Sequence, residues 1–587
     1  MTAVPSPLRA PLPARRACRA LRRGPWLAIL LVVLVVAVPL AGCGGRPTAK
    51  GGRPTAAATR GVSPKPAAPV GQPMSRDVRD KLLEGAMDVL GNLETYDEAV
   101  AFPQVFDRLN QWSHSLSGST GVDGWQLDPL IDTLPDRLRG ETVTKGIGEL
   151  AFDATTDILA LRDQRWLSDV AATARGDAIE DLDVARRLFD WTVRSLAAVS
   201  DPPMVPSEAN PGSRWFSVGE ILLAGRASAP QRAWVFLELV RHAGLDGVML
   251  ATGDVAAGTI RPWIPAVLCG DEAYLFDPGY GLPVPGPGGE GVATARQAAS
   301  DPTILAAMSL PDRPYPVQAP DIDRLTVLVP ATPWSLSRRM HVLDRQLAGA
   351  RRVDLALDAG KLAARALASL PARALAALPA SSATVVETPT ADTERRAGLW
   401  EFPWETLARR RTMRDSVDPA IAKELGVMGL AIQQTDTNRE TRSFRPLYAA
   451  RLREFRGVLD GPDGAKMAYL AARPGNAVIA EMLQGLPAPQ ADQVKRIYDE
   501  LKGDATYWLG VLTLAEEEYE TAVDYLDRMT LKANPDGIWS DAARVNLARA
   551  RLALGDRDEA VRLLREDASP QRFGSRLLAD RIGSASP

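Results

Sequence analysis

Cysteine and histidine are almost absent, with three of each in 587 residues. Cys18 belongs to an N-terminal leader-like segment and Cys43 stands at its exit, which leaves Cys269 as the one thiol of the folded chain. An intramolecular disulfide is then excluded, and so is a zinc-finger type of metal site. His114, His242 and His341 show neither an HExxH pattern nor a paired spacing, so no metal centre is expected, and no cofactor-binding motif stands out. A basic excess is missing too. Lys and Arg number 69 against 72 Asp and Glu, for a net charge of −3. Loss of residues 1–42 removes six arginines and no carboxylate, leaving about −9. A chain of that sign does not suit nucleic acid, which needs a basic face.

What is present begins with the leader. Six arginines without an acidic residue precede or flank the apolar run Trp26–Val38, and Pro39 then breaks it. A basic head, an apolar middle and a small-residue exit make a secretory signal, and the run is short of the ~20 apolar residues of a spanning helix. Leu40-Ala41-Gly42-Cys43 resembles the lipobox of bacterial lipoproteins. The resemblance implies cleavage before Cys43, lipid on its sulfur and attachment to a membrane through that lipid. It also implies a cell-envelope location facing the periplasm, and Gly44 in place of a retention aspartate favours the outer membrane. An uncleaved anchor is the alternative, and it also puts the bulk of the chain outside the cytoplasm.

The rest divides by composition. Residues 43–75 repeat Gly-Gly-Arg-Pro-Thr-Ala and are rich in Pro, Ala and Gly, a disordered tether with a reach on the order of 30 Å. A helical region is expected over 76–175. An α+β domain follows over 176–375: a helix from Leu182, a second from about Pro230 to Ala243 ended by Gly244, then β-like runs Gly247–Ala251, Trp263–Cys269 and Ala273–Phe276. Leu325–Pro330 and Val353–Leu357 extend it, each followed by a helix-like stretch. Residues 376–398 read as a linker, 399–503 as helical, and 504–587 as helical hairpins. Trp400-Glu-Phe-Pro-Trp404 reads as core. The fold class is therefore multidomain α+β, mainly helical, with a central helix-plus-antiparallel-sheet domain and a helical-repeat C-terminal region.

Within 182–290, the runs Ala233–Leu245, Arg261-Pro-Trp263 and Tyr274-Leu-Phe-Asp277-Pro278 resemble the transglutaminase-like (papain-fold) superfamily. In that family a cysteine opens the helix, a histidine opens the next strand and an aspartate closes the following one. The helix dipole lowers the thiol pKa, the histidine takes the proton and the aspartate orients the ring. Carried over position by position, the cysteine site holds Ala229, the histidine site Arg261, and only Asp277 matches. No catalytic residue is therefore expected, and an Arg261–Asp277 ion pair in place of the lost dyad is a further expectation. Ser228 reads as the helix N-cap, with Gln231 completing a capping box. His242 reads as a cation at the helix C-terminus, and Cys269 as an inert structural thiol.

Residues 504–566 resemble two tetratricopeptide repeats, through Leu509-Gly510, Ala522 and Leu526, then Leu547-Ala548, Gly555, Ala560 and Leu564. Arg451–Arg473 and Asn476–Lys502 are candidates for earlier, more degenerate hairpins. Such repeats imply a groove for a peptide or protein, and the plainer reading is a helical domain packed on the rest. The expected function is that of a lipid-anchored envelope protein with a catalytically degenerate domain, binding or organising envelope proteins or peptides. The alternative is an active cysteine-type peptidase or acyl-transfer enzyme with relocated residues, and a third is non-covalent substrate or glycan binding in the degenerate cleft.

Overall fold

The computed structural model describes residues 75–584 apart from 94–95, 97, 117–123, 155, 201–216, 254–257, 372–395, 413–427, 429, 431 and 436–440. The leader, Cys43, the tether and most of the expected linker lie outside the described residues. The principal helices before the sheet are α1 (Arg76–Gly91), α2 (Glu98–Leu116), α3 (Thr156–Arg175), α4 (Asp181–Ser195), α5 (Val218–Ala224) and α6 (Ala229–His242). Four strands follow: β1 (Asp246–Thr252), β2 (Arg261–Cys269), β3 (Glu272–Asp277) and the short β4 (Leu282–Pro283). Beyond them come β5 (Thr326–Val329), α7 (Arg338–Asp344), α8 (Ala359–Ser369), β6 (Ala397–Leu399) and α9 (Glu401–Thr412). The tail holds α10 (Pro446–Phe455), α11 (Ala465–Ala471), α12 (Ala488–Ala515), α13 (Tyr519–Val523), α14 (Ser540–Ala553), α15 (Arg557–Arg565) and α16 (Arg572–Ser584).

Local chemistry accounts for α6 and the strands after it. Gln231 Oε1 accepts the Ser228 N–H at 2.9 Å, the return half of a capping box, and Pro230 occupies the first turn, where no N–H is needed. Gly244 ends the helix at φ +81, a conformation that only glycine adopts at little cost. The six strands run in the order β4-β3-β2-β1-β5-β6, antiparallel except for the parallel pair β5–β6. One face is covered by α4 and α6, where Phe189, Phe236 and Phe276 pack with ring centroids 5.1–5.2 Å apart. The other face carries Leu250, Ile264, Leu275 and Val327 against α8 and against Ile131, Leu134 and Leu138. The apolar cluster of the first face continues through Tyr507, Trp508 and Trp539 into the tail.

Several expectations change. The linker ends in a strand, because Ala397–Leu399 pairs with β5 and brings Trp400 and Trp404 into the core at 2% exposure each. The aromatic run is therefore core, as expected, but core of the α+β domain. The region beyond 399 is not all helical, since 432–435 and 441–444 form an antiparallel pair. Val353–Leu357 is not a strand. Its residues are pinned by single bonds such as Leu355 N–H to Asp344 Oδ1 at 2.8 Å. The boundary expected at 503/504 falls inside α12, which runs unbroken for 28 residues. Arg451–Arg473 does contain a hairpin, α10 with α11, whereas Asn476–Lys502 is one short helix and the first half of α12.

Candidate functional site

The candidate site begins where α6 begins. Ala229 is exposed at the first position of that helix, one residue after its cap. Asp277 ends β3 and is 6% exposed. Its Oδ1 accepts the N–H groups of Gly279 and Tyr280 at 2.8 and 2.9 Å, and its Oδ2 accepts the Tyr315 hydroxyl at 2.7 Å. Trp263 Nε1 in turn donates to the Tyr315 oxygen at 3.2 Å. Burial pushes the Asp277 carboxyl above its ordinary value, and these bonds work against that shift. Gly279 is the meeting point: a Cβ built there would lie 3.1 Å from Asp277 Oδ1 and 3.5 Å from the Ala229 methyl. Ala229 and Asp277, two of the three positions carried over from the resemblance, thus both lie beside Gly279.

The third stays apart. Arg261 is exposed at the start of β2 and is not among the partners of Asp277. Continuing the β2–β3 register, in which Ala266 faces Leu275, places Ile264 across from Asp277. Arg261 is three residues farther along, about 10 Å at the rise of a strand. The expected Arg261–Asp277 ion pair does not form, because that distance along the strand separates them, and a tyrosine hydroxyl and two backbone N–H groups solvate the buried carboxylate instead. A bulge in β2 between Pro262 and Pro265 also shifts the register just there.

The remaining candidates have plain structural roles. The Ser228 backbone is tied into the cap. His242 Nε2 lies 2.6 Å from Gln164 Oε1, and burial together with the neighbouring Arg241 holds its pKa well below the ordinary value. It is therefore neutral rather than a cation at the helix end. That role passes to Arg241, which donates to the Asp354 carbonyl and pairs with Glu238 at 2.6 Å. Cys269 is half-buried, and burial raises its thiol pKa to about 11, the opposite of what a nucleophile needs. Among the described residues, no cluster of three His, Cys, Asp or Glu side chains is placed to hold a metal ion.

Sequence reasoning missed the group that organises this end of the sheet. Arg232, one turn into α6, is 2% exposed and donates to the carbonyls of Leu196 and Pro278 and to Gln571 Oε1. None of those acceptors is a carboxylate, and burial lowers its pKa to about 10. Gln571 also packs on Gly281, and a Cβ on Gly574 would sit 1.8 Å from the Tyr280 carbonyl oxygen. Arg313 stacks over Phe573 at 3.8 Å, and Arg576 pairs with Asp312 at 2.9 Å. The start of α16 is thus clamped onto the turn that follows Asp277. Only the arginine itself was visible in sequence, because its partners lie tens to hundreds of residues away.

In the tail, α12 packs on α13 and its continuation Asp524–Leu531, and α14 packs on α15. A Cβ on Gly510 would come 2.8 Å from Leu526, while Ala522, Ala548 and Ala560 are no more than 2% exposed. These are the close approaches that small residues in paired helices allow. A tetratricopeptide repeat family model matches residues 513–575, in agreement with the repeats seen in the sequence. No curated protein and no solved structure matches the chain. Among the described residues, no helix is long and apolar enough to cross a membrane.

Proposed function

We propose that this protein is a non-catalytic, lipid-anchored organiser of a bacterial cell envelope. In this reading Cys43 carries the lipid, and the α+β domain is a degenerate transglutaminase-like unit. The repeat-bearing tail is the surface that takes a protein or peptide partner. The observation that carries the reading is the clamp of α16 on the Tyr280–Gly281 turn. It ties the repeats to the same end of the sheet where a nucleophile would stand, and that position holds the methyl of Ala229. An alanine cannot attack a carbonyl, and Asp277 is committed to Tyr315 rather than to an imidazole. Repeats of this kind generally mediate protein–protein contacts, and the envelope placement rests on residues 1–43.

The test places a photo-reactive amino acid at Leu552 or Leu554, which are 38% and 39% exposed on the repeats, and irradiates intact cells. A probe at Val78 on α1, 46% exposed, is the comparison. The reading expects a discrete protein adduct from the repeat positions that persists in a Cys269→Ala background. Adducts only from Val78, or loss of biological function on Cys269→Ala with the fold intact, would turn the argument toward the enzyme.

A further inference from the structure

A cavity of about 840 Å3 opens between α4 and the first repeat, well within the size range of small-molecule sites. Leu282, Pro283 and Leu459 give it an apolar wall, backed by the buried Phe189, Phe276, Val511 and Leu512. Its polar end is built differently from an ordinary ion pair. Arg194 at the end of α4 donates to Asp190 Oδ2 at 2.6 Å, and Arg549 on α14 donates to Asp190 Oδ1 at 2.5 Å. One carboxylate therefore serves two guanidinium groups, and both its oxygens are used. Arg194 Nε is enclosed and has no hydrogen-bond partner among the described residues. The other charges on the wall have counter-charges of their own: Glu454, which also attracts Arg194 at longer range, pairs with Arg451, Arg187 with Asp177, and Arg186 with Asp183. One positive charge is left over at the head of an apolar cavity.

We infer that this cavity binds a small amphipathic anion, with its carboxylate or phosphate-monoester head at Arg194 and Arg549 and its apolar body against Leu282, Pro283 and Leu459, the half-buried part of the lining. A planar guanidinium pair suits such heads, and partial exclusion of water strengthens the contact. The ligand supplies the charge that Asp190 alone cannot. The two arginines come from the α+β domain and from the repeats, so an occupied cavity binds the two parts through one ligand.

Calorimetric titration of the full chain in lipid nanodiscs tests this, with empty nanodiscs subtracted and octanoate and octyl phosphate as probes. Octanol is the uncharged control and octylamine the control of opposite charge. Arg549→Gln removes one guanidinium while Asp190 keeps Arg194, and Ala515→Trp places bulk at an exposed position on the cavity mouth without touching the core. The expected result is saturable binding of at least one anion, roughly tenfold or more weaker for octanol, and weakened by a similar factor in Arg549→Gln. Binding is lost in Ala515→Trp, with melting curves of both variants close to wild type. Absence of saturable binding by both anions, equal binding of octanol, or full binding in Arg549→Gln would overturn the inference.

Discussion

Asp504 shows at the level of one residue how burial sets chemistry in this chain. Its carboxyl receives a hydrogen bond from Trp539 Nε1 at 2.7 Å, yet burial raises its pKa to about 7. An acid whose folded pKa lies above its unfolded value keeps its proton longer in the folded state. Its penalty on stability is absent below the ordinary carboxylate range and grows as pH rises toward 7, by up to about 1.4 kcal/mol per unit. Asp504→Asn keeps an oxygen for Trp539 and removes the titration. The variant is expected to be more stable than wild type at pH 8, with the difference shrinking toward pH 4, by chemical denaturation at both values. A constant difference across that range would show that the charge is not responsible. Cys269 follows the same logic in the other direction of use: a thiol held near 11 is protonated at neutral pH and unreactive.

Among the elements, α16 has the strictest fit. Gly574 lies against the Tyr280 carbonyl so closely that an added methyl has nowhere to go on the backbone side. Gly574→Ala is expected to cost about 2 kcal/mol or more and to loosen α16 selectively. The checks are a lowered melting temperature and earlier proteolytic cleavage near Arg572. Wild-type protection would mean that α16 is not clamped as described. How legible such elements were depended on how local their causes are. The start and stop of α6 were readable because cap, proline and terminal glycine are adjacent in sequence. The strands β1–β3 were readable from short apolar runs with a Gly270-Asp271 turn. Strand β6 was not, since three residues after a Pro/Ala/Ser/Thr-rich stretch become a strand only by pairing with β5. The unbroken α12 was hidden as well, because the motif of the first repeat begins in its middle. The contact of Arg232 with Gln571 spans 339 residues, and no local pattern announces it.

At the scale of the whole molecule, the α+β domain and the repeats share an apolar cluster, two clamped turns and the wall of one cavity. Gly225 at φ +62 is part of that union, with the Trp508 ring 2.0 Å from where its Cβ would be. The site itself was half legible. Ala229 and Asp277 both lie beside Gly279, while Arg261 is set apart by a bulge and a register that only the pairing of β2 reveals. Tyr315, the actual partner of Asp277, lies outside every motif. Restoring residue types is therefore not expected to restore chemistry: a histidine at 261 would stand about 10 Å along the strand from the carboxylate it needs.

If the domain performs no covalent chemistry, the purified full chain shows no turnover. Wild type, Cys269→Ala and the double variant Ala229→Cys with Arg261→His are assayed for peptide hydrolysis and for acyl transfer to an added amine. No turnover above buffer is expected for any of the three. Turnover by wild type that disappears in Cys269→Ala, with the melting curve unchanged, would contradict it and make Cys269 a nucleophile.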